Sequence, residues 1–207
     1  SRWYNQFFKR AFDLSVATVG TIAISPILLG IAIAIKASSP GPAFYAHRRI
    51  GKDGIYFNCY KFRSMVVDSD RRLQEYLRAN PEAAKEWEET HKLKHDPRVT
   101  KIGAFLRKTS LDELPQLFNV IRGQMSLVGP RPIVDEEVIK YDVFFSDYTM
   151  VRPGMTGLWQ TSGRSDTSYS RRVRLDAWYV RNWNIWLDIS LLVKTVRVVL
   201  SSHSGAY

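Results

Sequence analysis

The sequence predicts an α+β fold that is mostly helical, with an N-terminal membrane helix, a small β-hairpin and amphipathic helices at the membrane interface. Three observations support it. Residues 14–35 are apolar and uncharged, a Gly-Lys-Asp-Gly turn separates two apolar-aromatic runs, and most later segments repeat apolar residues at helical spacing. We divide the chain into residues 1–40, with a basic flank and the membrane helix, and residues 41–207, a second domain that ends in an interfacial helix.

The composition restricts the class of partner and the type of site. Lysine and arginine number 30 against 20 acidic residues, a net charge of +10, which favours an anionic partner such as nucleic acid, anionic lipid or a phosphorylated substrate. Cys59 is the single cysteine, which excludes an internal disulfide and a cysteine cluster for zinc, and is compatible with a reducing compartment.

Two interpretations of residues 14–35 remain open from the residues alone. At about 1.5 Å per residue, this helix is long enough to cross a bilayer core of roughly 30 Å. Pro26 lies near its middle and predicts a bend, and Ser25 can satisfy the carbonyl that the proline leaves free. Basic residues on both flanks suit a re-entrant hairpin whose ends share one face of the membrane. These residues are Lys9, Arg10, Lys36, His47, Arg48 and Arg49.

The next elements follow from local patterns. Residues 44–65 predict a β-hairpin that turns at Gly51-Lys52-Asp53-Gly54, and alternation along its second arm places Lys61 and Arg63 on one face. The charged stretch 68–94 predicts two short helices with a break at Asn80-Pro81. His91 and His95 within it have helical spacing, but no third ligand is evident, so we interpret them as solvated.

The remaining helices are predicted at residues 102–106, 114–121, 134–141 and 170–179, and again over the apolar repeat from Ile185 to Leu200. The last helix suits the headgroup plane of a membrane, although its apolar face is equally explained as domain core. Val128-Gly129-Pro130-Arg131-Pro132 predicts a loop, and residues 151–164, rich in glycine and proline, predict a loop or short strand.

Asp112 and Glu113 are the candidate chemical groups. Ser110 to Glu113 fits a helix capping box, which is a purely structural explanation for Glu113. The functional interpretation depends on neighbouring cations, because Arg107 precedes Asp112 by five residues and Arg131 stands in a rigid Gly-Pro-Arg-Pro loop. Arginines and a helix N-terminus hold phosphoryl oxygens, and a carboxylate pair can hold Mg²⁺.

Five segments together resemble the bacterial sugar transferase family, the monotopic polyprenol-phosphate phosphoglycosyl transferases. The segments run in order along nearly the whole chain. They are Tyr60-Lys61-Phe62-Arg63-Ser64-Met65, Asp96-Pro97-Arg98-Val99-Thr100, Thr109-Ser110-Leu111-Asp112-Glu113-Leu114-Pro115-Gln116-Leu117, Met125-Ser126-Leu127-Val128-Gly129-Pro130-Arg131-Pro132 and Arg152-Pro153-Gly154-Met155-Thr156-Gly157. Larger members of the family carry an additional N-terminal membrane domain ahead of this region.

The resemblance implies a reaction and a set of roles. Asp112 would attack the sugar-linked phosphorus of a UDP-sugar, UMP would leave, and undecaprenyl phosphate would then take the phosphosugar, as in nucleophilic catalysis. Glu113 would assist, and Mg²⁺, bound near Asp112, is the implied cofactor. Substrate-binding or activity-related positions are implied for Arg49, Lys61, Arg63, Arg107, Arg131 and Asp188.

The resemblance also implies where this chemistry takes place. Ser25-Pro26 would be the hinge of a re-entrant helix, with the catalytic domain on the cytoplasmic face of the bacterial inner membrane. The implied product is a lipid-linked sugar for polysaccharide or O-antigen synthesis. The implied partners are the UDP-sugar, undecaprenyl phosphate and the bilayer, with a homodimer left open.

Two rival functions compete with this one. The charge alone would allow a membrane-tethered protein that binds nucleic acid or lipid, but the sequence has no helix-turn-helix, zinc or base-stacking signature, and we expect no nucleic-acid partner. An ordinary inverting glycosyltransferase is the other rival, and it would release UDP rather than UMP. Galactose is the first expectation for the sugar, followed by glucose or an N-acetylated sugar.

Overall fold

Helix α1 (Arg2–Ser38) opens the fold in the computed structural model, which describes residues 2–90, 93–162 and 168–201. The helix continues through Pro26 without interruption. Proline has no N–H, so the Ile22 carbonyl loses its helical donor, and the Ser25 hydroxyl donates to that carbonyl at 2.8 Å. The prediction that Ser25 satisfies the freed carbonyl is therefore confirmed, and its role as a membrane hinge with Pro26 stays a prediction. A hairpin of two separate helices is not confirmed, because the serine lets one helix pass the proline.

One face of α1 packs on the rest of the protein near both of its ends. Near the start, the Arg10 guanidinium donates to the carbonyls of Val120 and Ile121 at 2.6 and 2.9 Å. Near the end, Leu28 and Ile35 are buried in a core shared with β2 and α4. The opposite face exposes a row of apolar side chains, namely Val19, Ile22, Leu29 and Ile33. Within the described residues, α1 is the single helix long and apolar enough to cross a membrane.

The predicted hairpin is confirmed. Strand β1 (Phe44–Ile50) pairs antiparallel with β2 (Tyr56–Phe62), with Tyr45 opposite Lys61 and a 3₁₀ turn at Lys52–Gly54. Asp53 has φ 57°, a left-handed conformation that aspartate tolerates in tight turns. The predicted boundary between residues 1–40 and 41–207 falls in the linker between α1 and β1 and stays a prediction.

The charged stretch forms two helices that separate at Asn80, as predicted: α2 (Ser69–Ala79) and α3 (Pro81–Thr90). His91 lies outside the described residues, so the interpretation of the His91 and His95 pair is not tested. Helices α4 (Lys101–Thr109) and α5 (Gln116–Ile121) follow, joined by a 3₁₀ turn at Leu111–Glu113.

Strand β3 (Ser126–Val128) pairs in parallel with β4 (Gly154–Thr156), and both are three residues long. Backbones approach closely where they meet, since a Cβ on Gly154 would lie 2.1 Å from the Gly129 nitrogen. Between these strands come α6 (Asp135–Tyr141), a 3₁₀ turn at Asp142–Phe144 and α7 (Phe145–Thr149). Helices α8 (Tyr169–Arg181) and α9 (Ile185–Ser201) complete the chain.

One side of helix α9 belongs to the domain core, as one interpretation predicts, and its place in the headgroup plane of a membrane stays a prediction. Leu191 is fully buried in the central core, and Leu187 and Leu192 pack against that core. Trp186, Val193 and Val196 are exposed on the outer side. The α+β, mostly helical fold class is confirmed by this arrangement of elements.

Candidate active site

The Asp-Pro-Arg-Val-Thr motif places helix α4 against the end of strand β2. Val99 forms a β-bridge with Met65, and the Thr100 hydroxyl caps α4 by accepting from the Gly103 N–H at 3.0 Å. Gly103 lies on the backbone of Ser64, where a Cβ would be 1.9 Å from the Ser64 carbonyl oxygen. Only glycine permits this close approach. The contact fixes the orientation of α4 and therefore the position of its C-terminal residues.

Helix α4 ends at the residues that carry the candidate chemistry. Ser110 takes a left-handed conformation with φ 58°, and the chain then turns through Leu111–Glu113. Arg107, two residues before the end of α4, donates from Nε to the Ser64 hydroxyl at 2.9 Å. This contact holds the guanidinium beside β2 and within electrostatic range of Asp112.

The predicted capping box is wrong. The Ser110 side chain makes no capping hydrogen bond, because its left-handed backbone ends α4 instead of starting α5. Helix α5 begins at Gln116, after Pro115. The Glu113 carboxylate is therefore not used as a cap, and it accepts from the Lys61 ammonium at 2.6 Å. Lys61 comes from β2, so this ion pair connects the hairpin to the turn.

Asp112 is a buried carboxyl, with 8% of its surface exposed. Burial is the main cause that raises its pKa to about 6, and the neighbouring Glu113 carboxylate raises it further, while Lys61 and Arg107 act in the opposite direction. Burial lowers the pKa of Lys61, but its pairing with Glu113 outweighs this and the pKa is raised. Asp112 is thus a poorly solvated nucleophile candidate close to two cations.

An open cleft with a cavity volume of about 20 Å³ adjoins this turn. Its lining combines three cations with a carboxylate and small or polar residues, a composition suited to an anionic ligand. The lining residues are Arg49, Cys59, Lys61, Glu113, Gln116, Arg131, Pro132, Gly154, Met155 and Gln160. Burial raises the pKa of the Cys59 thiol to about 11, so Cys59 is a neutral wall of this cleft.

Arg131 is held at the cleft by the loop that follows β3, as the two prolines predict. The Gly154 N–H donates to the Pro130 carbonyl at 2.8 Å, and the Ile50 N–H donates to the Ile133 carbonyl at 3.0 Å. These bonds hold the loop from both sides. Within the described ranges, the Arg131 guanidinium donates no hydrogen bond, which leaves its N–H groups available for a ligand.

Glu137 is a site residue that the sequence reasoning missed. Its two oxygens lie 3.7 Å from Arg49 and 3.9 Å from Arg131. Glu137 stands in the first turn of α6, where an acidic residue is ordinarily explained by the helix dipole, and two further acids precede it. The signal that could have found it is its spacing, since it follows the rigid Arg131 by six residues with a helix start between them.

Four predicted site residues are absent from the cleft lining. Asp112 and Arg107 adjoin it through their interactions with Glu113, Lys61 and each other, whereas Arg63 and Asp188 lie elsewhere. Arg63 does not join Lys61 at the cleft, because β2 ends at Phe62 and the Arg63 side chain lies against the linker after α1. Its guanidinium is buried and donates to the carbonyls of Pro40 and Ser39 at 2.6 and 2.8 Å, which fixes the linker after α1. Asp188 is fully buried on α9 and is also absent from the cleft lining.

Asp188 belongs to a buried polar cluster that fastens α1 to the domain. Its carboxylate accepts from the Lys9 ammonium at 2.5 Å, from the Tyr179 hydroxyl at 2.7 Å and from the Trp183 indole N–H at 3.0 Å. Asp13, one turn after Lys9, accepts from the Ser126 hydroxyl and the Leu127 N–H. Burial is the main cause that raises the pKa of Asp13. The cluster therefore links α1, β3, α8 and α9.

The carboxylate pair fits magnesium if the substrate supplies the remaining ligands. The described part of the chain has no group of three or more His, Cys, Asp or Glu side chains arranged to hold a metal. Asp112 and Glu113 repel each other electrostatically, and a cation between them would relieve that repulsion. Mg²⁺ commonly takes one or two protein carboxylates, water and substrate phosphates, which matches this donor set.

Comparison with known proteins finds relatives that match nearly the whole chain. The UDP-galactose-lipid carrier transferase of Erwinia amylovora is 53% identical over 98% of this chain and 42% of its own length. The undecaprenyl-phosphate galactose phosphotransferase of Salmonella typhimurium is 52% identical over 98% of this chain and 42% of its own length. The exopolysaccharide production protein ExoY of Rhizobium meliloti is 51% identical over 96% of this chain and 88% of its own length.

A basic cleft that borders a buried carboxyl, beside a long apolar helix, defines a protein of the class that handles phosphorylated substrates next to a membrane. The model of the bacterial sugar transferase family matches residues 4–202. The chain belongs to the bacterial sugar transferase family, and the predicted resemblance is confirmed. It spans less than half the length of the Erwinia amylovora and Salmonella typhimurium relatives named above.

Proposed function

We propose that the chain is the catalytic part of a phosphoglycosyl transferase. It moves a hexose-1-phosphate from a UDP-sugar to undecaprenyl phosphate and releases UMP, as the first membrane step of polysaccharide or O-antigen synthesis. The observation that carries this proposal is the buried Asp112 carboxyl beside Lys61 and Arg107 at the edge of a cationic cleft. The names of the galactose-specific relatives support galactose as the sugar.

The reaction has two displacements at one phosphorus atom. A carboxylate oxygen of Asp112 attacks the sugar-linked phosphorus, the bond from phosphorus to the bridging oxygen breaks, and UMP leaves with that oxygen. A phosphate oxygen of undecaprenyl phosphate then attacks the same phosphorus, which frees the Asp112 carboxylate and gives the lipid diphosphate sugar. The pKa of Asp112 is raised because its carboxyl is poorly solvated. The carboxylate that forms near neutral pH has few hydrogen bonds to lose when it attacks, which makes it a reactive nucleophile.

The other cleft residues bind and orient the substrate. Arg49 and Arg131 lie where the nucleotide's phosphates would enter, and Arg107 faces the reacting carboxylate from α4. Glu113 keeps Lys61 charged and directed towards the turn. Mg²⁺, held by Asp112 and Glu113 together with substrate oxygens, would supply charge neutralisation of the transferred phosphoryl group.

The product of the reaction tests this function. We expect the protein, in detergent or lipid with undecaprenyl phosphate, to release UMP, fastest with UDP-galactose in a panel that includes UDP-glucose and N-acetylated UDP-sugars. Attack at the sugar-linked phosphorus releases UMP, whereas attack at the sugar carbon would release UDP. Release of UDP would instead identify an inverting glycosyltransferase and contradict the proposal.

We also infer that α1 is inserted from one face of the bacterial inner membrane, with the domain on the cytoplasmic side. The support is contact, because α1 touches the same domain through Arg10 near its start and through Ile35 near its end. A helix that crossed the bilayer would carry one of those ends away from the domain. The exposed apolar face of α1 and the outer face of α9, with Lys194 and Arg197, suit the membrane interface.

Thiol labelling tests the one-face arrangement. We expect single cysteines introduced by Asn5→Cys and Lys36→Cys to react with a membrane-impermeant reagent from the same side of sealed vesicles. Gln74→Cys, on the exposed surface of α2, marks the side of the domain. The native Cys59 is buried and serves as an unreactive background. Labelling of Asn5→Cys and Lys36→Cys from opposite sides would identify a spanning helix.

A further inference from the structure

Two cleft arginines share one carboxylate. Glu137 presents Oε2 to Arg49 at 3.7 Å and Oε1 to Arg131 at 3.9 Å, so each guanidinium faces a different oxygen. Arg49 comes from β1 and Arg131 from the loop after β3. Glu137 therefore contacts two arginines that come from separate parts of the fold and line the same cleft.

Glu137 is itself oriented from two sides. The Val134 N–H donates to Oε2 at 3.1 Å, and the Tyr169 hydroxyl donates to Oε1 at 3.3 Å. The side chain is 17% exposed, so its rotation is limited by packing as well as by these bonds. A carboxylate held in this way has a fixed position to which the arginines adjust.

The arginine pair needs such a counter-ion. After burial, the charge of Arg131 is the largest cause that lowers the pKa of Arg49, so the two guanidiniums repel each other in a poorly solvated site. The distances to Glu137 exceed hydrogen-bond length, so each guanidinium is attracted to the carboxylate without donating a hydrogen bond to it. Within the described residues, the Arg131 guanidinium donates no hydrogen bond and can bond phosphate oxygens directly. Arg49 donates from Nη1 to the Pro132 carbonyl at 3.4 Å, and its Nη2 lies 3.2 Å from His47 Nδ1, so a phosphate would compete with these longer contacts.

We propose that Glu137 is a positioning residue for the transferase, which sets the separation of Arg49 and Arg131 so that they grip the diphosphate of the nucleotide sugar. This role rests on the proposed function of the same cleft. Glu137 acts through the arginines and does not itself bind substrate, since a carboxylate repels phosphate. It therefore contributes geometry and not affinity.

Removing the charge separates these two contributions. Glu137→Gln keeps the size of the side chain but leaves two uncompensated cations, which attract anions at least as strongly as before. We expect kcat for UMP release to fall about 10- to 100-fold, in line with the cost of misplaced reacting groups, while KM for the UDP-sugar and the inhibition constant of UMP stay equal or decrease. Glu137→Asp, which keeps the charge, should recover part of kcat.

Glu136→Gln is the matched control, because the neighbouring Glu136 is exposed and makes no ion pair with either arginine in the described part of the chain. It removes the same charge from the same turn of α6 and should keep the kinetics of the unaltered protein. Equal kinetics for Glu137→Gln and Glu136→Gln would overturn the proposal. So would a loss of kcat that comes with a matching rise in KM, or that Glu137→Asp does not reverse, since both indicate a merely structural role.

Binding without turnover keeps this test separate from the proposed function. Inorganic pyrophosphate should raise the unfolding temperature of the unaltered protein more than sulfate does. Glu137→Gln should reduce this preference for pyrophosphate, because the arginines then attract both anions by charge alone. If the unaltered protein releases no UMP from any UDP-sugar but shows this preference, the function fails while the arginine pair and Glu137 keep their assigned roles. If the preference is the same in both proteins, the role of Glu137 fails.

Discussion

Replacing Asp112 by asparagine is expected to lower UMP release by at least about three orders of magnitude, because the substitution removes the attacking oxygen charge and keeps the shape of the side chain. The same variant should no longer retain a labelled phosphosugar on the denatured protein after incubation with UDP-sugar alone. Both readouts follow from one covalent step, so they should be lost together. Full activity in this variant would show that Asp112 is not the nucleophile.

The variant should also remain folded, which separates lost chemistry from lost structure. The folded-state pKa of Asp112, about 6, lies above its ordinary value of 3.8, so the native state favours the neutral form. The free energy of unfolding therefore decreases as the pH rises from 3.8 to about 6, because the folded state disfavours the ionised carboxyl. Asparagine is always neutral, and we expect Asp112→Asn to unfold at an equal or higher temperature at pH 8. Asp70→Asn, on the exposed surface of α2, is the control for a simple loss of charge.

Much of the fold and part of the site follow from short-range signals. The uncharged stretch, the Gly-Lys-Asp-Gly turn and the break at Asn80 each act over a few residues, and each is found where the sequence predicts it. Lys61, Glu113 and Arg131 also meet in one cleft as the motifs imply. The three-residue strands β3 and β4 were not predicted as a pair, since strands of that length show no periodicity.

The errors at the site come from contacts between distant parts of the chain. Ser110 and Glu113 have capping-box spacing, but a left-handed Ser110 ends one helix and Lys61, 52 residues earlier, takes the Glu113 carboxylate. Arg63 follows the strand parity of Lys61, yet the strand stops before it. Glu137 has a local role at the start of α6, where it accepts from the Val134 N–H. Its contact with two arginines from other elements does not show in that local pattern.

Asp188→Asn is expected to lower the free energy of unfolding by about 3–5 kcal/mol, the range found when one partner of a buried ion pair is removed. Asp188 is fully buried, and three donors converge on its carboxylate from Lys9, Tyr179 and Trp183. Asparagine removes the carboxylate that pairs directly with the Lys9 ammonium in a poorly solvated place, and leaves Asp13 as its remaining electrostatic partner. Thermal or chemical unfolding in detergent, followed by the fluorescence of the tryptophans, measures the loss.

A paired substitution distinguishes a structural fastening from a substrate contact at Asp188. If Asp188 only holds Lys9, then Lys9→Met combined with Asp188→Leu removes both charges together, and most of the lost stability and of the UMP release should return. Part of the lost stability should not return, because the Trp183 indole N–H loses its acceptor. The Tyr179 hydroxyl still has the Val128 carbonyl, 3.1 Å away, as an acceptor. Recovery of stability without recovery of UMP release would instead give Asp188 a direct part in the reaction.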